Sequence, residues 1–491
     1  MAVELTEPDM ESQRPSITLS LISHTNMGKT TLARTLLRRD VGQVLDQAHV
    51  TLQNEQFILL ETADGLRLNL WDTPGFGNSH KLLKRLHGRS NPIGWLVSQV
   101  WDRLADKPFW CSQQAIQNVR DEADVVLYLV NATEEPSMAG YLHPELEILA
   151  WLNKPVILLL NQTGLVDHER RRQLETRWNQ HWGSQPVIYD VMSLDAFTRC
   201  WVQEGVLWDR ITKVLPEDRQ PLMQKLSEAW REKSLHTLHT SMHHIACLLI
   251  HTARDSEFLP AEMTGQSQKS LLNRAIHAMD QRLAHGISSL TTQLIALHGL
   301  SGEGAHSLQS RLEDVTVPGE RKPWEEEGFW NGLVSGAMAG LASDFATGGL
   351  SHGLFSLGGA ILGAWGGTAY AKSQDEGNPQ RVSWVPEFLD RQARDAVLRY
   401  LAVTHSGRGK GEYIDPREFP LYWQQATEEI LTRHKSDLHQ AWILAKTTTN
   451  LKNSDEAETF LIPILSNMSQ HILLKFYPEA ASWFEKPSPK K

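Results

Sequence analysis

A short strand-like run, Ile17-Thr18-Leu19-Ser20-Leu21-Ile22, passes without a break into Ser23-His24-Thr25-Asn26-Met27-Gly28-Lys29-Thr30-Thr31 and then into a helical stretch. That order constrains the fold more than any other feature of the chain. A loop between a buried strand and a helix N-terminus presents successive main-chain N–H groups, and these cradle phosphates. It also implies strands alternating with helices in an α/β architecture. Lys29 is placed to reach β- and γ-phosphates, and the Thr30 hydroxyl to ligate Mg2+. Ser23 stands where the pattern opens with glycine.

The downstream pattern agrees. Residues 57–62 and 66–71 flank the turn Ala63-Asp64-Gly65 and read as a hairpin. Residues 125–130 and 156–160 read as buried parallel strands, and 186–191 as a weaker sixth. The third strand ends in Trp71-Asp72-Thr73-Pro74-Gly75. Asp72 can hold Mg2+ through water, and Gly75 can bring its N–H to a γ-phosphate. Lys29, Thr30 and Asp72 together specify a phosphoryl-transfer site. Thr51, just before the hairpin, is the natural switch threonine, a Mg2+ ligand only while a γ-phosphate is present. The expected fold is an α/β domain with a mostly parallel sheet of about six strands and helices on both faces. Beyond residue 213 strands are not expected; helical periodicity covers 216–256, 266–300 and most of 384–478. The expected division is a polar tail (1–15), the α/β domain (16–212) with an insertion at about 77–122, and a helical C-terminal domain (213–491).

These residues resemble the translation-factor class of G proteins, nearest to the TrmE–Era-like branch. The match rests on Gly28-Lys29-Thr30, Thr51, Asp72-Thr73-Pro74-Gly75 and Asn161. The resemblance implies a P-loop GTPase that binds GTP and GDP and hydrolyses GTP slowly with Mg2+. The loop Ser23 to Thr31 would hold the phosphates, with Lys29, Thr51 and Gly75 in catalysis. Phe76 follows the Asp-Thr-Pro-Gly motif where Ras-like enzymes carry a water-orienting glutamine. Asn26 matches the asparagine that helps hold K+ in potassium-activated relatives, which implies K+ stimulation and pairing of two G domains as a homodimer. The base motif reads Asn161-Gln162-Thr163-Gly164, where the branch has Asn-Lys-x-Asp, so no carboxylate at 164 reads guanine. Asp167 is the nearest substitute in sequence, and Ser193 matches the loop whose main-chain N–H contacts the base.

A second resemblance covers nearly the whole chain. Asn91-Pro92-Ile93-Gly94-Trp95, Val100-Trp101-Asp102-Arg103, Pro108 to Gln114, Asn161 to Gly164 and Arg399 to Gly409 are similar to a bacterial family that joins a 50S ribosome-binding type GTPase domain to a C-terminal domain of unknown function (family 3482). The Gln-Thr-Gly variant is the norm there. The aromatic-rich insertion is either an effector or dimer surface or a buried aromatic subcore.

Composition bears on the partner. Net charge is −10 and mean hydropathy −0.36. An acidic chain of this kind is not expected to coat nucleic acid, and no specific nucleic acid is predicted as a partner. The three widely spaced cysteines form neither a zinc spacing nor a disulfide framework, and the acidic, polar N-terminus does not resemble a secretory signal. A cytoplasmic location is expected. Yet 12 of the 33 glycines lie within residues 328–371, with one charged side chain, Asp344. Gly332, Gly336 and Gly340, and again Gly359, Gly363 and Gly367, recur at the spacing that lets helix backbones approach closely. This stretch reads as a hairpin inserting in a lipid bilayer, at the inner face of the cell membrane, with a buried helical hairpin as the alternative. His236, His239 and His243 share a helix face, but no carboxylate or cysteine at matching positions is recognised, so an ordinary amphipathic helix is expected. The leading expectation is a GTP-hydrolysing switch at or near a membrane. The alternatives are a ribosome- or RNA-associated GTPase and a nucleotide-dependent scaffold with negligible turnover.

Overall fold

The computed structural model describes residues 15–38, 54–99, 107–259, 266–300, 308–309, 312, 380–407, 419–447 and 454–485. Thr51, the segment from Val100 to Arg103 and the glycine-rich stretch 328–371 lie outside the described residues.

In chain order the N-terminal elements are β1 (Ser16–Ser23), α1 (Lys29–Leu37), β2 (Glu55–Glu61), β3 (Arg67–Asp72), α2 (Ser79–Leu86), α3 (Pro92–Ser98), α4 (Lys107–Asp121), β4 (Val125–Asn131), α5 (Leu142–Ala150), β5 (Val156–Asn161), α6 (His168–Trp182), β6 (Ile188–Ser193) and α7 (Trp201–Val214). The six strands form one sheet in the order β2-β3-β1-β4-β5-β6. Every neighbouring pair is parallel except the β2–β3 hairpin. This is the expected mostly parallel α/β domain, and a mainly helical region follows it. β1 lies between β3 and β4, with Leu21 paired to Asp72 and Ser23 to Leu129. That pairing brings the loop after β1 and the end of β3 to the same edge of the sheet.

The two-residue period of the central strands feeds two separate cores. Val125, Leu127 and Leu129 of β4 face one, and Val126, Tyr128 and Val130 face the other. The second core is closed by α2 to α6, and Phe76 together with Leu82, Ile93, Leu96 and Phe109 of the insertion is buried in it. The insertion thus contributes apolar packing, while Arg85 and Arg89 lie over the rings of Phe109 and Trp95, 4.3 and 4.7 Å from the centroids.

The first core does not end at the sheet. It runs through α1 and α7 into α8 (Gln220–Arg254), β7 (Ser256–Leu259), α9 (Gln266–Leu297), β8 (Gln380–Ser383), α10 (Pro386–Thr404), α11 (Leu421–Arg433), α12 (Lys435–Thr447) and α13 (Ser454–Phe476), and reaches Trp483 in the short α14 (Ala481–Phe484). The antiparallel pair β7–β8 corrects the expectation that strands cease at 213. Each strand has four residues, too few for a two-residue period to stand out from a helix end. Among the described residues no helix is long and apolar enough to cross a membrane.

Polar contacts stitch the helical region to the sheet. Arg219 donates to Ser16 O and Asp124 Oδ2, each at 2.6 Å. The Trp483 indole N–H donates to Asp209 Oδ2 at 2.7 Å. The Gly407 amide, just past α10, donates to Phe197 O at 2.9 Å.

Candidate functional site

The loop after β1 takes a conformation its residues are chosen for. Asn26 (φ 64°) and Gly28 (φ 89°) both occupy the left-handed region, which asparagine and glycine enter most readily. A Cβ at Gly28 would also lie 2.7 Å from Asn161 Nδ2. The turn delivers Lys29 to the first position of α1, where its ammonium donates to the Ser23 hydroxyl at 2.9 Å. Ser23 therefore has a use that the comparison with a glycine-led motif did not reveal.

Phe76 N–H donates to Ser23 O at 2.9 Å, and the Thr73 hydroxyl to Leu21 O at 2.6 Å. These bonds clamp the Asp-Thr-Pro-Gly turn against β1. Gly75 is so close to the loop that a Cβ there would stand 3.1 Å from Lys29 Nζ and from Thr25 Cα. Phe76 is fully buried, so it orients no water.

Thr30 and Asp72 meet directly: Thr30 Oγ1 donates to Asp72 Oδ2 at 2.6 Å. The other oxygen, Oδ1, is buried without a hydrogen-bond partner. Burial pushes the Asp72 carboxyl up to about 6, against the pull of Lys29 and the Thr30 hydroxyl. Burial likewise pulls Lys29 below the ordinary lysine value, with Asp72, Glu145 and Cys111 opposing. A buried carboxylate oxygen left orphaned beside a hydroxyl is a donor set suited to a hard divalent cation, so Thr30 and Asp72 fit Mg2+.

The other end of the loop rests on a network absent from the sequence reading. His24 Nδ1 lies 2.7 Å from Glu145 Oε1, and its ring stacks on Tyr141 at 4.8 Å. The Tyr128 hydroxyl donates to the second Glu145 oxygen. Desolvation, followed by the charge and hydrogen bond of Glu145, holds the Tyr128 phenol well above its usual range. Glu145 sits in the unremarkable amphipathic pattern of α5, and only its complete burial marks it.

Asn161 at the end of β5 donates through Nδ2 to Met27 O and accepts through Oδ1 from Ala196 N–H, each at 2.8 Å. It thereby ties the phosphate loop to the loop after β6. Gln162 and Gly164 both have positive φ. The Gly164 amide donates to Asp195 Oδ2 at 2.7 Å, and Phe197 N–H to Asp195 Oδ1 at 2.7 Å. Asp195, not singled out in the sequence, is thus the carboxylate that joins the loops after β5 and β6. Two expected contributors are placed otherwise. The Ser193 amide, expected to face the base, instead donates to Glu175 Oε1 at 2.8 Å, because Ser193 closes β6 under α6. Asp167 caps α6, accepting from Arg170 N–H at 2.8 Å. Ser23 to Thr31, Asp72, Gly75 and Asn161 converge on one edge of the sheet; Thr51 lies outside the described residues.

Residues 186–461, more than half of the chain, match the family model described as a domain of unknown function, DUF3482. The chain belongs to the DUF3482 family. Ahead of its DUF3482 segment, residues 18–162 match the model described as 50S ribosome-binding GTPase. That match gives the DUF3482 protein an N-terminal GTPase domain and supports GTP binding by it. No curated protein sequence matches the chain. Among solved structures, it is similar to an Era variant of Aquifex aeolicus bound to GDP and aluminium fluoride (14% identity, 55% of this chain and 88% of that chain, TM-score 0.31). It is also similar to Era in complex with MgGDPNP and a segment of 16S ribosomal RNA (15% identity, 56% and 88%, TM-score 0.30).

Proposed function

We propose that this protein binds GTP with Mg2+, hydrolyses it slowly, and uses the bound nucleotide to set the state of a switch. The observation that carries this reading is the convergence of Lys29, Thr30, Asp72 and Gly75 on one loop, which Asn161 pins at Met27. Lys29 would neutralise the β/γ-phosphates. Thr30, Asp72 and, in the GTP state, Thr51 would hold the cation, which supplies charge stabilisation to the phosphates. Asn161 would face the base. Asn26 would ligate K+ near the phosphates and supply the charge an arginine finger provides elsewhere, with a second G domain stimulating turnover.

A competition assay among GTP, ATP and XTP, followed by single-turnover hydrolysis in KCl and in NaCl, tests these roles together. GTP is expected to bind tightest and to turn over faster in KCl. Equal affinities would remove the guanine assignment, and equal rates the K+ role.

The output is proposed to lie at a bilayer, through 328–371, on the strength of its glycine spacing. A specific observation favours a second reading, a ribosome-associated role. From Thr73 to Trp101 the chain carries Lys81, Lys84, Arg85 and Arg89 but no aspartate or glutamate. Lys84, Arg85, His87, Arg89 and Trp95 line an open cleft of 590 Å3. A basic, aromatic-edged surface suits a phosphate backbone. Co-sedimentation separates the two. Pelleting with anionic vesicles that is lost on deleting 328–371 supports the bilayer. GTP-dependent pelleting with ribosomal subunits, weakened by R85A/R89A, supports the second reading.

A further inference from the structure

The helical region brings together three metal-ligating side chains that the sequence separates. His243 and Cys247 lie one turn apart on α8, and Glu458 reaches them from α13, more than two hundred residues later. Cys247 Sγ stands 3.7 Å from His243 Nδ1 and donates to Glu458 Oε2 at 3.3 Å. One ligand atom from each residue falls within 4.8 Å of the other two. The expectation of no cysteine or carboxylate near the α8 histidines is thereby corrected.

We propose that His243, Cys247 and Glu458 form a binding site for a borderline divalent metal ion of the Zn2+ class, joining α8 to α13. Two arguments support it. The first is ligand chemistry: a thiolate and an imidazole with one carboxylate select Zn2+ or its congeners over Mg2+ and Ca2+, which take oxygen ligands. The second is geometry. Zn–S bonds of about 2.3 Å and Zn–N or Zn–O bonds of about 2.0–2.1 Å, at a tetrahedral angle, place ligand atoms roughly 3.3–3.6 Å apart. The Sγ–N separation of 3.7 Å and the Sγ–O separation of 3.3 Å lie within about 0.3 Å of those edges. The remaining His243–Glu458 edge is no longer than 4.8 Å, and the exposed His243 side chain has room to change rotamer and shorten it.

The S–H···O bond marks where the ion sits. On binding, the Cys247 thiol releases its proton to solvent, the thiolate and the Glu458 carboxylate both turn to the metal, and His243 binds as neutral imidazole. The three residues leave a fourth position for water or an exogenous ligand. Because α8 runs from the sheet side of the molecule to β7, a clamp on α13 would brace the helical region independently of the nucleotide.

The test uses the full-length protein loaded with GDP and excess Mg2+, so that the phosphate site is filled, and titrates Co2+ as a spectroscopic probe. The expected result is one Co2+ per chain with a thiolate-to-metal charge-transfer band and d–d bands of tetrahedral intensity, displaced by Zn2+. C247S should abolish the charge-transfer band. H243Q and E458Q should weaken binding by about tenfold or more. H236Q/H239Q should leave it unchanged. Absence of the band in the wild type, or binding lost in H236Q/H239Q but retained in C247S and E458Q, overturns the proposal, since surface histidines alone would then account for the metal. Alkylation of the wild-type protein gives a readout that needs no variant. Cys111 and Cys200 are fully buried, so the reactive thiol reports Cys247, and one equivalent of Zn2+ should slow its modification about tenfold or more. An unchanged rate overturns the proposal as well.

Discussion

Lys29→Ala should abolish GTP hydrolysis and weaken GTP binding by about a hundredfold. The Lys29 ammonium is buried, held by the Ser23 hydroxyl and poised over Gly75. Hydrogen bonds to charged groups contribute about 1.5–3 kcal/mol each. Losing some 3 kcal/mol against a polyphosphate corresponds to roughly two orders of magnitude in affinity. The fold should survive. The substitution removes a desolvated charge from the start of α1 and leaves the apolar face of that helix, Leu32, Ala33 and Leu36, untouched. Titration with a fluorescent GDP analogue, phosphate release and thermal unfolding measure the three effects. Wild-type affinity in the variant would mean that nucleotide does not lie against this loop.

The second large effect is expected far from the phosphates. Gly407→Ala should destabilise the protein by about 1–3 kcal/mol, the usual cost of overpacking, and lower GTP affinity with it. A Cβ at 407 would lie 2.2 Å from Ala196 O and 2.8 Å from Phe197 C. Both are main-chain atoms, so no flexible side chain can move aside. The Ala196 carbonyl also accepts from the Thr35 hydroxyl of α1 at 2.7 Å, and its amide holds Asn161. A shift of this loop therefore reaches the phosphate loop through Asn161 and Met27. The seam is otherwise tight. His405, two residues earlier, is pushed down to about 4 by burial, with its Nδ1 2.8 Å from Leu401 O and its ring stacked near Tyr477. Unfolding midpoints and nucleotide titrations on the same preparation decide the matter. A variant with wild-type stability would show that α10 does not bear on the loop after β6.

Much of the first domain was legible in advance, for reasons that differ by element. β4 and β5 were readable because parallel strands covered on both faces must be apolar throughout. The hairpin was readable because Asp64-Gly65 breaks two runs of strand length, and Gly65 does take a positive φ. The phosphate loop was readable because its chemistry is local: Gly28, Lys29 and Thr30 are consecutive. β7 and β8 were not, since each is four residues long and is stabilised by a partner more than a hundred positions away. The partner of the Ser193 amide was not legible because a strand end can point its amide to a loop or to a neighbouring helix, and here Glu175 on α6 takes it. Asp195 and Glu145 escaped notice because an isolated carboxylate carries no pattern; burial and hydrogen-bond partners give it meaning.

The chain's periodicities and its one contiguous motif determined by themselves an α/β sheet with a phosphate loop and a helical region after it. Both are short-range: backbone geometry sets the spacing of apolar residues, and a phosphate loop is a single turn. Tertiary structure alone decided how those parts meet. It placed the helical region on one face of the sheet as a continuation of the same core, seated Gly407 against the loop after β6, buried Glu145 behind His24, and brought Glu458 to His243 and Cys247. Each of these pairs residues far apart in the chain. Close packing of side chains, which no local sequence window contains, selects them.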